Sequence, residues 1–284
     1  MRRRWRYISV LTVAGGRPEA LLRKAGALAQ QTLEPERFEW VVCLNGGDDG
    51  SAGPLQAMEL PFSLKLFETS ERLPAGAARN ACAARTCGSI LLFSDDDCLP
   101  APHTLAAHVA EQERGLCAAV GGIDFDDGGR IDRWRPSRVG FWNLNGANSS
   151  VPAVAFREVG GFDEELAGYG GEDLELGYRL TRAGLPFRAL PEATAVHLGP
   201  DPRAGADLGK ARAAGANAAR LAQRHPPLRW RVGLHPLQVA TKRLLFATGL
   251  GAWLHRLGGG SVAYERAYLE GARDAGGSPM EESA

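Results

Sequence analysis

LLFSDDDCLP, residues 91–100, runs an apolar stretch straight into three consecutive aspartates, a cysteine and a proline. Neighbouring carboxylates repel one another, and the repulsion grows where water is scarce. A loop with nothing to hold gains nothing from this arrangement, whereas a cation shared among the three offsets it. Asp95 and Asp97, one residue apart at the end of a buried strand, offer the hard oxygen ligands that Mg²⁺ or Mn²⁺ prefers. A cation held by so few protein groups completes its shell with phosphate and water. The competing account is a helix N-cap cluster ahead of His103.

Outward from the aspartates, the pattern alternates. Residues 7–13 are β-branched and apolar, a buried strand; 18–31 have helical spacing; 38–44 form a second strand that stops at the turn Asn45-Gly46-Gly47. A short strand is predicted at 64–67, a helix at 75–85, a strand at 90–93 and a helix at 103–113. Strands and helices in this alternation imply a Rossmann-like, mostly parallel sheet with helices on both faces, an α/β fold. Ligands of such sheets sit beyond the carboxyl ends of the strands, where Asn45 and the three aspartates fall. After Ala119 the pattern is less regular. Residues 124–138 read as a loop or hairpin around Gly128-Gly129, 148–156 as a strand and helical turn, and 172–183 as a helix stopped by Gly184. Helices are predicted over 204–224, 236–257 and 262–275, with a frayed end. The expected organisation is a catalytic domain over 1–200, split into halves 1–119 and 120–200, and a helical extension over 201–284.

Composition narrows the function. Thirty-three basic and thirty-three acidic residues give no net charge, so nothing global points to nucleic acid. Between residues 91 and 175 acids outnumber bases by more than two to one, whereas residues 203–256 hold ten Lys/Arg and one acid, Asp207. A cation site followed by a surface that prefers anionic partners fits this division, and a solvated helical face fits the second part equally well. The five cysteines are odd in number and show no CxxC spacing, which argues against a disulfide framework or zinc site and makes a reducing cytoplasm the default. The opening MRRRWRYISVLTVAGG resembles a signal peptide, but its short apolar run ends at Gly15-Gly16-Arg17-Pro18 and reads as strand and turn. No stretch reaches the length of a membrane span.

Two further constellations carry chemistry. GGFDEELAGYGGEDLELGYRLTRAG, residues 160–184, places Glu172 and Asp173 at a helix start. The helix dipole stabilises anions there, so plain capping is one account; a general base beside a metal-bound electrophile is the other. His197 follows an apolar run and is either a packed histidine or a third metal ligand.

Four segments in order resemble the family 2 inverting glycosyltransferases, which have the GT-A fold: VVCLNGGDDGS, AGAARNACAARTCGSILLFSDDDCLP, NGANSSVPAVAFREVGGFDEEL and GGEDLELGYRLTRAGLPFRALPEATAVHLG. The resemblance covers about residues 7–199 and leaves the chain from Pro200 onward without motifs. It implies a nucleotide-diphosphate-sugar donor and a divalent metal, Mn²⁺ or Mg²⁺. By that resemblance Asp95 and Asp97 bind the metal, with Asp97 preferred as direct ligand, and His197 completes the site. Asp95 and Asp96 also face the donor, Asp96 through its ribose or sugar. Arg79 and Asn80 lie beside the nucleotide and donor sugar, and Asn148 faces the sugar or acceptor. Asp173 is the base, and Glu172 helps hold the acceptor.

Two departures affect base recognition. Leu44 and Asn45 stand where the family carries an acid, and Thr12-Val13-Ala14 stands where it reads TYN or TRN. The base would then be read by backbone groups, Asn45 or Asp48, with Thr12 beside them and UDP the default nucleotide. The alternatives are a catalytically degenerate nucleotide- or carbohydrate-binding protein and a sugar nucleotidyltransferase, for which Gly15-Gly16-Arg17 is a thin phosphate loop. The acceptor hydroxyl belongs to a glycan, a lipid carrier, a peptide or a small molecule. The apolar residues of 237–257, flanked by Lys242, Arg243 and Arg256, fit peripheral contact with the inner face of a membrane. Cover for the catalytic domain or a homo-oligomer contact explains them equally.

Overall fold

A computed structural model of the chain describes residues 7–127, 130–135, 137–199, 207–248 and 261–276. Gly128 and Gly129, the expected helix start at 204–206, the expected helical continuation at 249–257 and the last eight residues lie outside the described residues. The chain divides into two compact units, Met1–Glu164 with Glu172–Asp201, and Glu165–Gly171 with Pro202–Ala284.

The first unit is built on β1 (Ile8–Ala14), α1 (Pro18–Ala29), β2 (Phe38–Leu44), α2 (Ala52–Gln56), β3 (Ser63–Glu68), α3 (Ala75–Ala83), β4 (Ile90–Phe93), β5 (Cys98–Pro100) and α4 (Thr104–Arg114). It continues through β6 (Ala118–Asp127), β7 (Arg130–Trp134), β8 (Ser149–Pro152), α5 (Ala153–Glu158), α6 (Glu172–Arg182) and β9 (Phe187–Leu198). The sheet runs β3-β2-β1-β4-β8-β6-β9-β5, with β7 paired to β6. Strands β3, β2, β1 and β4 are parallel; β8 is antiparallel to β4 and to β6, β9 runs parallel to β6, and β5 pairs antiparallel to β9.

Both faces of the parallel half are covered, and period-2 alternation divides the side chains between them. Ile8, Val10, Trp40, Val42, Ile90 and Leu92 form one core with Leu21 and Leu28 of α1 and Leu105 of α4. Leu11, Val41, Cys43, Leu91 and Phe93 form the other with Cys82 of α3, Phe156 of α5 and Leu176 of α6. All seven residues of β2 are buried, which is why it reads as an apolar run broken only by Glu39, whose carboxylate accepts from Ser9 Oγ and pairs with Lys65.

The irregular pattern after Ala119 conceals two long strands. β6 carries Gly121 and Gly122, where a Cβ on Gly121 would overlap the Asn148 side chain and the Ala193 carbonyl. β9 is interrupted at Pro191, and its register against β6 jumps there, Gly121 pairing Leu190 and Gly122 pairing Thr194. Proline cannot donate to a ladder, so the strand bulges around it and its sequence loses the strand pattern. Of the expected loop or hairpin at 124–138, Asp124–Asp127 of β6 pair antiparallel with Arg130–Arg133 of β7, as in a hairpin.

The second unit contains α7 (Leu208–Arg224), α8 (Pro236–Ala247) and α9 (Val262–Gly276). α7 and α9 pack through Gly215 and Gly271; a Cβ on either would overlap the backbone of the other helix. Asn217 donates to the carbonyls of Ala167 at 3.0 Å and Gly170 at 2.7 Å, tying the 165–171 segment to α7. α8 buries none of its residues, and Leu237 and Leu244 are 64% and 65% exposed.

Candidate active site

The aspartates sit between β4 and the short β5, at the carboxyl end of the parallel half of the sheet. They do not cap α4, whose N-cap is His103 and whose Leu105 amide donates to Gln31 Oε1 at 3.1 Å. Their loop rests on a buried cation. Lys24 of α1 falls on the apolar stripe 21-24-25-28, and its Nζ donates to Ser94 Oγ at 2.6 Å, the Asp95 carbonyl at 2.9 Å and the Cys98 carbonyl at 2.7 Å. Burial pulls the Lys24 pKa down to about 8, opposed by Cys98 and the three aspartates.

Asp96 and Asp97 are buried. Burial pushes Asp96 up to about 6; Arg17 opposes the shift, and Asp97 and Asp95 add to it. Arg17, at the N-cap of α1, reaches Asp96 Oδ1 at 3.2 Å and ion-pairs with Asp97 Oδ2. Its own pKa is raised: burial works against the charged form, and Asp96 and Asp97 outweigh it.

The β5–β9 register makes Cys98 and His197 direct partners, which brings the imidazole to the triplet. His197 Nε2 is 3.4 Å from Asp97 Oδ2, and its buried Nδ1 has no hydrogen-bond partner. Ligand atoms of Asp97, Cys98 and His197 lie within 4.8 Å of one another. The Cys98 thiol, pushed up by burial and by the charges of Asp95 and Asp97, donates weakly to Asp97 Oδ1 at 3.7 Å. Asp95 lies outside this group. Its Oδ1 accepts from Arg79 Nη2 at 3.0 Å.

Arg79 joins the aspartate loop to the acidic pair that opens α6. Its Nη1 reaches Glu172 Oε1 at 3.1 Å and Asp173 Oδ1 at 3.5 Å. Burial works against its charge, but Asp173, Asp95 and Glu172 hold it firmly protonated. Asp173 Oδ2 accepts from the Gly146 amide at 3.1 Å, and a Cβ on Gly146 would overlap the Arg79 guanidinium. Burial pushes Asp173 up to about 7; Arg79 opposes the shift, and Glu172 and Asp95 reinforce it. A carboxylate in this range accepts a proton readily near neutral pH. Arg179 anchors the helix by pairing with Glu175 one turn earlier and donating to the Gly161 carbonyl at 2.6 Å.

Four residues expected to face the donor make hydrogen bonds within the chain. Thr12 is fully buried, donating to the Ser94 carbonyl and accepting from Trp40 Nε1, both at 2.9 Å. Asn148 is buried, donating to the Gly122 and Ala193 carbonyls while its Oδ1 meets His108 Nε2 at 3.0 Å. Asn80 exchanges hydrogen bonds with the Phe162 backbone and donates to Glu164. Asn45 clamps the Leu73 backbone at 2.8 and 2.9 Å. These amides close chain segments on one another, so their polar atoms are already partnered. Asp48 likewise accepts the Gly50 and Ala52 amides, both at 3.0 Å.

The sequence reading missed Arg17 and Lys24 as site residues. Lys24 announced itself as the one charged residue on the apolar stripe of α1, a position that demands buried acceptors. Arg17 appeared only as part of the thin Gly15-Gly16-Arg17 phosphate loop, and nothing in its neighbours in sequence pointed to Asp96 and Asp97.

Residues 9–172 match the profile of Glycosyl transferase family 2. A validoxylamine A glucosyltransferase from Streptomyces hygroscopicus subsp. limoneus is 30% identical, over 66% of this chain and 50% of its own length. The chain thus spans about half the length of that curated relative. Among solved structures, the mannosyltransferase PcManGT from Pyrobaculum calidifontis, in complex with GDP-Man and Mn²⁺, superposes with a TM-score of 0.65 at 18% identity, covering 96% of this chain and 88% of its own. GalNAc-T7 with UDP, GalNAc and Mn²⁺ gives 0.62 at 17% identity, over 78% and 48%. At these identities the likeness is one of fold, the GT-A fold.

Proposed function

This chain belongs to glycosyl transferase family 2, and from that premise we propose that it moves a sugar from a nucleotide-diphosphate donor to an acceptor hydroxyl, with inversion, using a divalent metal and Asp173 as general base. The observation that carries this reading is Arg79, whose single guanidinium binds Asp95 on one side and Glu172 and Asp173 on the other. The proposed base and the aspartate loop therefore belong to one network.

Asp97 Oδ2 and His197 Nε2, 3.4 Å apart, with the His197 Nδ1 left without a hydrogen-bond partner, fit a divalent cation. A carboxylate–imidazole pair suits Mn²⁺ better than Mg²⁺, which holds to oxygen ligands. Such a cation would neutralise the charge that grows on the departing diphosphate. Mn²⁺ accompanies a nucleotide in both solved neighbours, with UDP in one and with GDP-Man in the other, which supports the same choice here.

Asp173 takes the acceptor's hydroxyl proton as that oxygen bonds to the anomeric carbon and the bond to the diphosphate oxygen breaks. The Gly146 amide and Arg79 hold its two oxygens in place, and Glu172 on the same guanidinium orients the acceptor. A single displacement inverts the centre, so no carboxylate nucleophile is required. UDP is the default nucleotide. The exposed Leu237 and Leu244 of α8, with Arg243 and no acid anywhere from 208 to 264, support contact with an anionic membrane surface near the acceptor. Among the described residues no helix is long and apolar enough to cross a membrane.

The test is calorimetric binding of UDP, GDP and dTDP, each with and without Mn²⁺, to the wild type and to Asp97→Ala. One nucleotide should bind only with Mn²⁺ and lose that binding in the variant. Binding indifferent to both metal and Asp97 overturns the proposal.

A further inference from the structure

Each carboxylate of the triplet already has a cation. Asp95 is held by Arg79, and Asp96 and Asp97 are held by Arg17, while Lys24 supports the loop backbone from below. Arg17 differs from the other two. Arg79 and Lys24 are buried, whereas the Arg17 side chain is 54% exposed. Its backbone is fixed, because Asp49 Oδ2 accepts the Gly16 amide at 2.7 Å and the Arg17 amide at 3.2 Å. The side chain alone is therefore able to move. It lines a cavity of about 430 Å³ with Gly16, Pro18, Glu19, Arg23 and Leu198, which gives it a volume to withdraw into.

The oxygen that Arg17 holds decides the consequence. Its Nη1 pairs with Asp97 Oδ2, the same atom that stands 3.4 Å from His197 Nε2. A metal ligated by Asp97 and His197 needs that oxygen, and a guanidinium and a dication cannot share it without strong repulsion.

We propose that Arg17 is the resident counterion of the metal site: it occupies Asp97 in the metal-free protein, and the divalent cation must displace it to bind. This rests on the metal reading above and adds to it a residue that sets the metal affinity. Arg17 suppresses binding of the bare cation, and the freed guanidinium stays at the site, where its fork suits phosphate oxygens.

The experiment is a titration of the full chain with Mn²⁺ alone, following free Mn²⁺ by electron paramagnetic resonance. The wild type, Arg17→Gln, Arg17→Lys and Asp97→Ala are compared after each is shown to melt as a folded protein. Removing a competing charge at contact distance should tighten Mn²⁺ binding by about tenfold in Arg17→Gln. Arg17→Lys, which keeps the charge, should stay near the wild type, and Asp97→Ala should lose the site. Arg17→Gln binding Mn²⁺ no more tightly than the wild type, while Asp97→Ala abolishes binding, overturns the counterion role and leaves the metal site standing. Binding that is absent, or that ignores Asp97, overturns both.

Discussion

Asp173→Asn should make the protein more stable at alkaline pH while removing its activity. In the folded chain Asp173 titrates at about 7 against an ordinary value of 3.8, because burial outweighs Arg79. The folded form thus holds its proton more tightly than the unfolded one. Below the ordinary value both states are protonated and Asp173 has no adverse effect. As pH rises toward 7 the unfolded chain ionises first, so stability falls, and above 7 the full loss is present. Between pH 5 and 8.5 the remaining gap of about two pH units corresponds to about 3 kcal/mol at 1.36 kcal/mol per unit. The side chain is 24% exposed, and water at that edge screens the effect to about 1–2 kcal/mol. Asparagine does not titrate. Urea denaturation of metal-free wild type and Asp173→Asn at the two pH values, followed by tryptophan fluorescence to which the buried Trp40 contributes, isolates the difference. The variant should gain about 1–2 kcal/mol on the wild type between pH 5 and 8.5. A constant difference, or one of opposite sign, would mean that Arg79 keeps Asp173 ionised throughout and that it is not a base poised near neutrality.

If Asp173 is that base, kcat/KM of the wild type should rise with pH through about 7, and Asp173→Asn should lose about 10²–10⁴ of it, as measured by release of nucleotide diphosphate. Gly146→Ala drives a Cβ into the Arg79 guanidinium; urea denaturation should show a loss of about 1–3 kcal/mol, and unchanged stability would show that Arg79 is free to move. Lys24→Met orphans Ser94 Oγ and two carbonyls, and should destabilise the fold by about 3 kcal/mol in the same assay. Vesicles with anionic lipid should co-sediment the full chain but not a Leu237→Asp/Leu244→Asp double variant; failure of both to sediment rejects the membrane contact.

Much of the fold was legible because it depends on neighbours in sequence. The run FEWVVCL, apolar but for Glu39, and the apolar run ahead of the aspartates need only local burial to be strands, and both were read with the bounds found, Phe38–Leu44 and Ile90–Phe93. β6 and β9 were not, since Gly121, Gly122 and Pro191 erase the alternation that marks a strand. Those residues are there for contacts across the sheet.

The sequence by itself determined the family, the order of the parallel strands' chemistry and the acids that end them, because these are properties of residue type and spacing. Only the tertiary structure decided which cation each acid meets. Arg79 reaches Glu172 across 93 residues and Arg17 reaches Asp97 across 80, and the β5–β9 register alone sets His197 beside the triplet. Pairing at such separation is fixed by sheet register and loop closure, which no local pattern encodes. For the same reason Thr12 and Asn148, polar residues in the right segments, turned inward. A buried amide or hydroxyl must find a partner wherever the fold offers one, and here the nearest partners were backbone groups of distant strands and turns.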